Sequence, residues 1–180
     1  MNTADVGALA AEAVDFFIEA VEQIPSQSWD LPSNLEGWTI GDLVAHTTGT
    51  VAKIVTLVEG GQPKPGPADP DDWRSENPAA QLRDLSGRLH DALPSADVDA
   101  LGQPLTAPTV GLSIHTWDVY RSQHRPVELP AALLAFGEQV AESTPEETLR
   151  QPGAFGPAQP APEGATPTAR LMAYYGRTVA

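Results

Sequence analysis

The 180-residue sequence contains no cysteine. Disulfide bonds and thiolate metal sites are therefore excluded, and any metal would have to be bound by His, Asp, Glu or water. Basic residues are also few, because 10 Lys and Arg stand against 24 Asp and Glu and give a formal net charge of -14. Such a charge repels phosphate backbones and anionic lipid surfaces, so neither nucleic acid nor a membrane is an expected partner.

Long apolar runs are absent too. No window approaches the roughly 20 apolar residues that span a bilayer. The first ten residues carry no basic stretch followed by an apolar block, so the sequence predicts no export signal and a cytoplasmic location. A chain of this length can bury one substantial core, which predicts a single domain over residues 1–180.

Apolar residues recur at helical spacing in several segments. The sequence predicts helices over Asp5–Ile24, from Thr39 to Gly60, and over Pro78–Leu93, Pro108–Gln123, Pro130–Glu142 and Thr166–Gly176. Thr39 is placed to cap the second helix, with Asp42 in its first turn. Residues 62–72 and 152–166 are rich in Pro and Gly, which predicts exposed connections. Because no alternating run is long enough for a sheet, the prediction is an all-α bundle.

Common catalytic motifs are missing from the chain. It has no Gly-rich phosphate loop, no nucleophile elbow and no His-Glu-x-x-His helix. The candidates for chemistry are therefore the histidines: His46, His90, His115 and His124. His90 and His124 lie among charged and polar residues and are interpreted as surface histidines. From spacing alone, a surface or half-buried structural role is the simpler interpretation for His46 and His115 as well.

Aromatic and acidic residues accompany the histidines. Trp38 and Trp117 are placed to line an apolar pocket, although aromatics at helical spacing more often belong to a core. Asp42 lies one turn before His46, and Asp118 lies three residues after His115. Both carboxylates can equally serve a helix terminus or a surface salt bridge, so they are weaker candidates.

Two segments resemble a known family. Trp38–His46, with the sequence WTIGDLVAH, is similar to the tryptophan, helix cap and first metal-binding histidine of the DinB-like, mycothiol-dependent maleylpyruvate isomerase superfamily. Ile114–Val119, with the sequence IHTWDV, resembles the second signature of that family, in which the histidine is another ligand and a Trp-Asp pair follows. Residues 165–177 resemble the C-terminal segment of the actinobacterial branch.

The resemblance implies a four-helix bundle with an extra short C-terminal helix. It implies His46 and His115 as catalytic residues and as ligands of a divalent, zinc-like metal, with Trp38 and Trp117 as the candidate cofactor-binding side chains and mycothiol as the candidate thiol cofactor. The third ligand of the family stands four residues before the second histidine. That position is Gly111 here, which has no side chain to bind a metal.

Three functions remain open at this point. The preferred one is a small-molecule isomerase or S-transferase in which a metal activates a thiol, because the surroundings of both histidines match the family. A second is a metal-free enzyme in which His46 or His115 is a general acid or base, for example in a cyclisation or elimination. A third is a non-catalytic protein that binds a small molecule or a partner chain. A monomer or a homodimer is expected.

Overall fold

The computed structural model describes residues 3–151 and 155–179, apart from the side chains of residues 3–5, 98 and 99. The described residues form seven α-helices and no strand, which confirms the all-α class. The helices are α1 (Thr3–Glu22), α2 (Ile40–Val58), α3 (Pro78–Ala92), α4 (Val98–Ser122), α5 (Ala131–Ser143), α6 (Glu146–Leu149) and α7 (Pro167–Tyr174). None of them is long and apolar enough to cross a membrane.

The chain divides into two compact units, Met1–Val127 and Glu128–Ala180. In the first unit α1 packs against α3 and α4, and α2 packs against the same two helices, so that α1–α4 form a four-helix bundle. The second unit contains α5, α6 and α7, of which α5 and α7 pack together. A single domain over residues 1–180 stays a prediction.

Helix α2 begins as the sequence predicts. The Thr39 hydroxyl accepts a hydrogen bond from the Asp42 N–H at 3.1 Å, and the Asp42 carboxylate accepts one from the Thr39 N–H at 2.9 Å. These reciprocal bonds form a capping box, which satisfies two amides that the first turn leaves free. The hydrogen bonds from Thr39 also lower the pKa of Asp42. The cap fixes the register in which α2 carries His46.

The predicted start of α4 at Pro108 is wrong, because the helix begins ten residues earlier at Val98. The Asp97 side chain caps it by accepting from the Ala100 N–H at 3.2 Å. Pro104 and Pro108 lie inside the helix, at a cost of about 3 kcal/mol for each interior proline. Burial of Leu101 and Leu105 gains roughly 1.5–3 kcal/mol each and offsets much of that cost. Other predicted boundaries lie close to the observed ones, although α6 was not predicted.

The connection between α2 and α3 lies along α2. We call residues 61–77 the strap. The sequence predicts an exposed connection here, and most of its residues are exposed, but Ala68 is buried. Gly49 of α2 lies so close to Ala68 and Trp73 that a Cβ atom at Gly49 would come within 2.7 Å of the Trp73 ring. Arg74 forms an ion pair with Asp42. The strap is therefore fastened to α2 at several points.

The second unit is held by hydrogen bonds between its first and last segments. The Leu129 N–H donates to the Thr168 hydroxyl at 3.0 Å, and the Tyr175 hydroxyl donates to the Gly137 carbonyl at 3.0 Å. Burial raises the pKa of Tyr175. In the predicted connection 152–166, residues 155–166 contain no helix, and residues 152–154 lie outside the described residues.

The packing of the strap predicts opposite effects of two Gly→Ala substitutions in helices. Gly49→Ala should lower the free energy of unfolding by about 1–3 kcal/mol, because the added methyl group overpacks the strap. A Cβ atom added at Gly87 in α3 would have no neighbouring atom within 4 Å. Gly87→Ala should therefore raise the free energy of unfolding by up to about 1 kcal/mol, because alanine has the higher helix propensity. Urea denaturation measures both. A Gly49→Ala protein as stable as Gly87→Ala would contradict the observed packing.

Candidate functional site

Helices α2 and α4 bring together the two histidines singled out in the sequence. The imidazole centroids of His46 and His115 lie 5.1 Å apart, with the rings nearly perpendicular at 85°. The Trp38 ring, one residue before the cap of α2, lies 4.8 Å from the His46 ring. Three of the four predicted site residues therefore share one place in the first unit. We call His46 and His115 the histidine pair.

The strap fixes the orientation of His46. Its Nδ1 lies 2.7 Å from the carbonyl oxygen of Ala68. A carbonyl oxygen can only accept a hydrogen bond, so Nδ1 carries the proton. In the neutral ring the lone pair then lies on Nε2, which is the nitrogen left for a ligand or a proton.

A buried carboxylate fixes the orientation of His115. Its Nδ1 lies 3.2 Å from Oδ2 of Asp118, whose side chain is fully buried while that of His115 is 19% exposed. The other carboxylate oxygen accepts from the Asn34 side-chain amide at 2.8 Å. The Asn34 N–H in turn donates to the Ser122 hydroxyl at 3.0 Å. A carboxylate contact of this kind fixes the tautomer and the ring orientation of an imidazole and leaves Nε2 as the nitrogen that the contact does not use.

Burial makes His46 a neutral base. It lowers the pKa of His46 below the ordinary value of 6.5, and the nearby His115 lowers it further. The hydrogen bond to Ala68 acts in the opposite direction but is the smaller effect. The His46 ring is therefore uncharged at neutral pH and can accept a proton at Nε2.

Comparison with protein families identifies the bundle. The sequence model of the mycothiol maleylpyruvate isomerase N-terminal domain matches residues 10–122. The chain belongs to this family. The match covers more than half of the chain, ends with α4 and contains both histidines, which confirms the predicted family. The comparisons with curated proteins and with solved structures found no match.

The groups around the pair do not complete a catalytic zinc site. Catalytic zinc usually has three protein ligands and a water molecule. Among the described residues no group of three His, Asp or Glu side chains is placed to hold a metal ion. At Gly111, the position to which the sequence resemblance assigns the third ligand, a Cβ atom would meet only open space. Metal binding by His46 and His115 therefore stays a prediction, and the chemistry available from the chain's own groups is proton transfer.

The other residues named from the sequence lie in different settings. Asp42 serves the helix cap and its ion pair with Arg74, which is the structural role weighed for it. Trp117 is only 7% exposed, as a core side chain is, so its contact with a cofactor stays a prediction. His90 bonds through Nδ1 to the Ser86 carbonyl at 2.9 Å and takes no part in the pair.

Two supports of the pair had no usable signal in the sequence. The Ala68 acceptor is a backbone carbonyl, which any residue supplies, and Asn34 lies in a loop far along the chain from Asp118. Asp118 did have a signal, since a residue three positions after His115 in a helix lies on nearly the same face.

The lowered pKa of His46 predicts how stability depends on pH. The unfolded chain takes up the His46 proton near pH 6.5, before the folded chain does. The stability from this residue is therefore complete above about pH 6.5 and is lost as pH falls through the folded pKa. Between about pH 7.5 and 5.5 the melting temperature of wild type should fall more steeply than that of His46→Asn, whose amide can still donate to Ala68. Parallel curves would contradict the burial of this base.

The open space at Gly111 predicts a gain of metal affinity on substitution. Gly111→Glu adds a carboxylate one helical turn before His115 and should bind zinc at least about tenfold more tightly than wild type. Gly87→Glu adds the same charge away from the pair and should leave the affinity unchanged. Titration calorimetry on chelator-treated protein measures this. Equal, tight binding of one zinc by wild type and Gly111→Glu would show that the wild-type donor set is already complete.

Proposed function

We propose that this protein is a small-molecule enzyme, an isomerase or S-transferase that uses a thiol of the mycothiol kind, and that the histidine pair moves the protons of the reaction. One observation carries the proposal: two imidazole rings meet while each Nδ1 is engaged by a separate acceptor, Ala68 for one and Asp118 for the other. Each Nε2 is then the ring nitrogen that these two contacts do not use. The family name supplies the substrate classes, a thiol and an unsaturated acid such as maleylpyruvate.

The reaction begins at His46. Its neutral Nε2 takes the proton of the bound thiol, and the imidazolium that results stabilises the thiolate beside it. The low pKa of His46 keeps this nitrogen unprotonated before the thiol arrives. General base catalysis of this kind contributes about 10²–10⁴ in rate.

The thiolate then adds to the alkene. A C–S bond forms at the carbon that is β to a carbonyl, and the π electrons move onto the carbonyl oxygen as an enolate. The former double bond is now single and can rotate. When the enolate collapses, the C–S bond breaks, the alkene returns in its other geometry, and the thiolate recovers its proton from His46. No electrons are gained or lost overall.

His115 serves the oxygen on which the negative charge develops. With Nδ1 bound to Asp118, the protonated form of His115 can donate from Nε2 to the enolate oxygen and take the proton back when the enolate collapses. If the proton that His46 took from the thiol passes to the enolate carbon before the C–S bond breaks, the thioether is released as product and His46 returns to its neutral form. The same two groups can therefore perform isomerisation or S-transfer, according to whether elimination or protonation follows.

Substitutions that preserve the outer hydrogen bonds give the sharpest test. Asparagine can still donate to Ala68 or to Asp118, but it has no counterpart of Nε2. His46→Asn should lower kcat/KM for mycothiol-dependent isomerisation of maleylpyruvate by about 10²–10⁴, and His115→Asn should lower it to a similar extent. His90→Asn removes a histidine outside the pair and is the matched control, with wild-type activity expected.

The assay should be run on chelator-treated protein, with and without added zinc. Activity that persists after chelation and is lost in His46→Asn supports proton transfer by the pair. Two results would contradict the proposal: wild-type rates in His46→Asn, or a chelated wild type that is inactive until zinc is added. A thiol-independent wild-type rate would remove the role of mycothiol.

A further inference from the structure

A cleft lies at the end of the bundle where α4 stops. Its volume is about 1010 Å³. The last turn of α4 contributes Arg121, and the residues just after the helix contribute His124 and Arg125. The chain between α1 and α2 contributes Ser28, Leu31 and Asn34. Neither histidine of the pair belongs to its lining. The cleft is therefore a separate concave site, large enough for a small organic molecule.

The charge of the cleft is opposite to that of the chain. The whole sequence has 24 acidic and 10 basic residues, yet the lining contains two arginines and a histidine and no Asp or Glu. The rest of its wall is neutral polar or apolar. In so acidic a protein, a concave surface of this composition would attract an anion and repel a cation.

Arg125 is held in place without a carboxylate. Its guanidinium lies over the Tyr120 ring, 4.9 Å from the centroid, and its Nη2 contacts Oε1 of Gln23. Both of these contacts are with neutral groups, and the Gln23 amide in turn donates to Oε1 of Glu19 at 3.2 Å. The described contacts therefore order the guanidinium without a direct bond to a carboxylate. A guanidinium held in this way binds carboxylate or phosphate oxygens with little further loss of side-chain freedom.

His124 keeps a side chain where the backbone favours glycine. Its φ of 55° is the only positive φ among the described non-glycine residues. The His124 N–H donates to the Arg121 carbonyl at 2.9 Å and the Arg125 N–H donates to the Tyr120 carbonyl at 3.1 Å, which is the Schellman motif that ends α4. Glycine is the usual residue at this position, since most side chains cost roughly 1–2 kcal/mol there, although histidine is tolerated more often than most. Use of the imidazole in the cleft would account for that cost.

We propose that this cleft binds a small organic anion through its carboxylate or phosphate oxygens. Arg125 and His124 face the oxyanion, and the exposed Leu31 side chain covers the carbon skeleton. The proposal rests on the cleft alone and does not depend on the reaction of the histidine pair. The two places are adjacent through Asn34, which lines the cleft and donates to Asp118.

Citrate and pyrophosphate are suitable probes, because one offers carboxylate and the other phosphate oxygens. Titration calorimetry at about 0.15 M salt, where long-range attraction is screened, measures their affinities. Arg125→Gln should weaken binding of the probe by about tenfold or more, as expected for loss of one charge-assisted hydrogen bond. Arg170→Gln removes the same charge in the second unit and should have no effect. Binding should also shift the NMR signal of the Asn34 side-chain amide.

His124→Gly distinguishes a role of the imidazole in anion binding from a role in stability. Glycine relieves the left-handed backbone, so the melting temperature should stay equal or rise, while the affinity for the probe should fall by about threefold or more. Binding of citrate alone or of pyrophosphate alone would assign the oxyanion class. Failure of both probes to bind at millimolar concentration would overturn the proposal, and so would equal losses in Arg125→Gln and Arg170→Gln.

Discussion

The hydrogen bond between His46 Nδ1 and the carbonyl oxygen of Ala68 connects the strap to helix α2, and the chemistry of the site depends on it. The bond places the proton on Nδ1 and leaves Nε2 as the basic nitrogen. Its acceptor stays in place because Ala68 is buried against Gly49, a position at which any side chain would push the strap away. The ion pair of Asp42 with Arg74 fastens the far end of the strap. A loop that the sequence predicts only as an exposed connection rich in Pro and Gly thus determines which nitrogen of His46 can react.

The two histidines are held in the same way but by different acceptors, and their roles follow from that difference. His46 faces a neutral carbonyl and is desolvated, so its uncharged form is favoured. His115 faces a buried carboxylate, which lies 3.2 Å from Nδ1 and fixes the orientation of the ring. A neutral base beside a second oriented imidazole suits the movement of one proton out and back during addition and elimination. Asn34, which donates to Asp118, also lines the cleft at the end of α4 and so connects His115 and its carboxylate to the wall of that cleft.

Sequence patterns within a few residues predicted most of the helices. The site was harder to predict, because its supporting contacts join residues that lie far apart in the chain. Periodic apolar residues located the long helices, and Thr39 with Asp42 identified the start of α2, because a capping box is formed within four residues. The start of α4 was wrongly predicted at Pro108, because proline is common in the first turn of a helix and local helix propensity does not show that Leu101 and Leu105 are buried. The spacing of residues did not predict that His46 and His115 lie close together, whereas the family resemblance did. No sequence pattern marks the Ala68 carbonyl or the amide of Asn34 as a partner.

The tautomer of His46 is the most direct test of this account, and long-range ¹H–¹⁵N correlation spectra of uniformly labelled protein report it. At about pH 7.5 the account predicts a neutral His46 ring with the proton on Nδ1, so that Nδ1 shows the ¹⁵N shift of a protonated nitrogen and Nε2 that of an unprotonated one. In Gly49→Ala, which displaces the strap, this preference should weaken. A wild-type His46 protonated on Nε2 would contradict the account, because the nitrogen assigned to accept the thiol proton would already carry one.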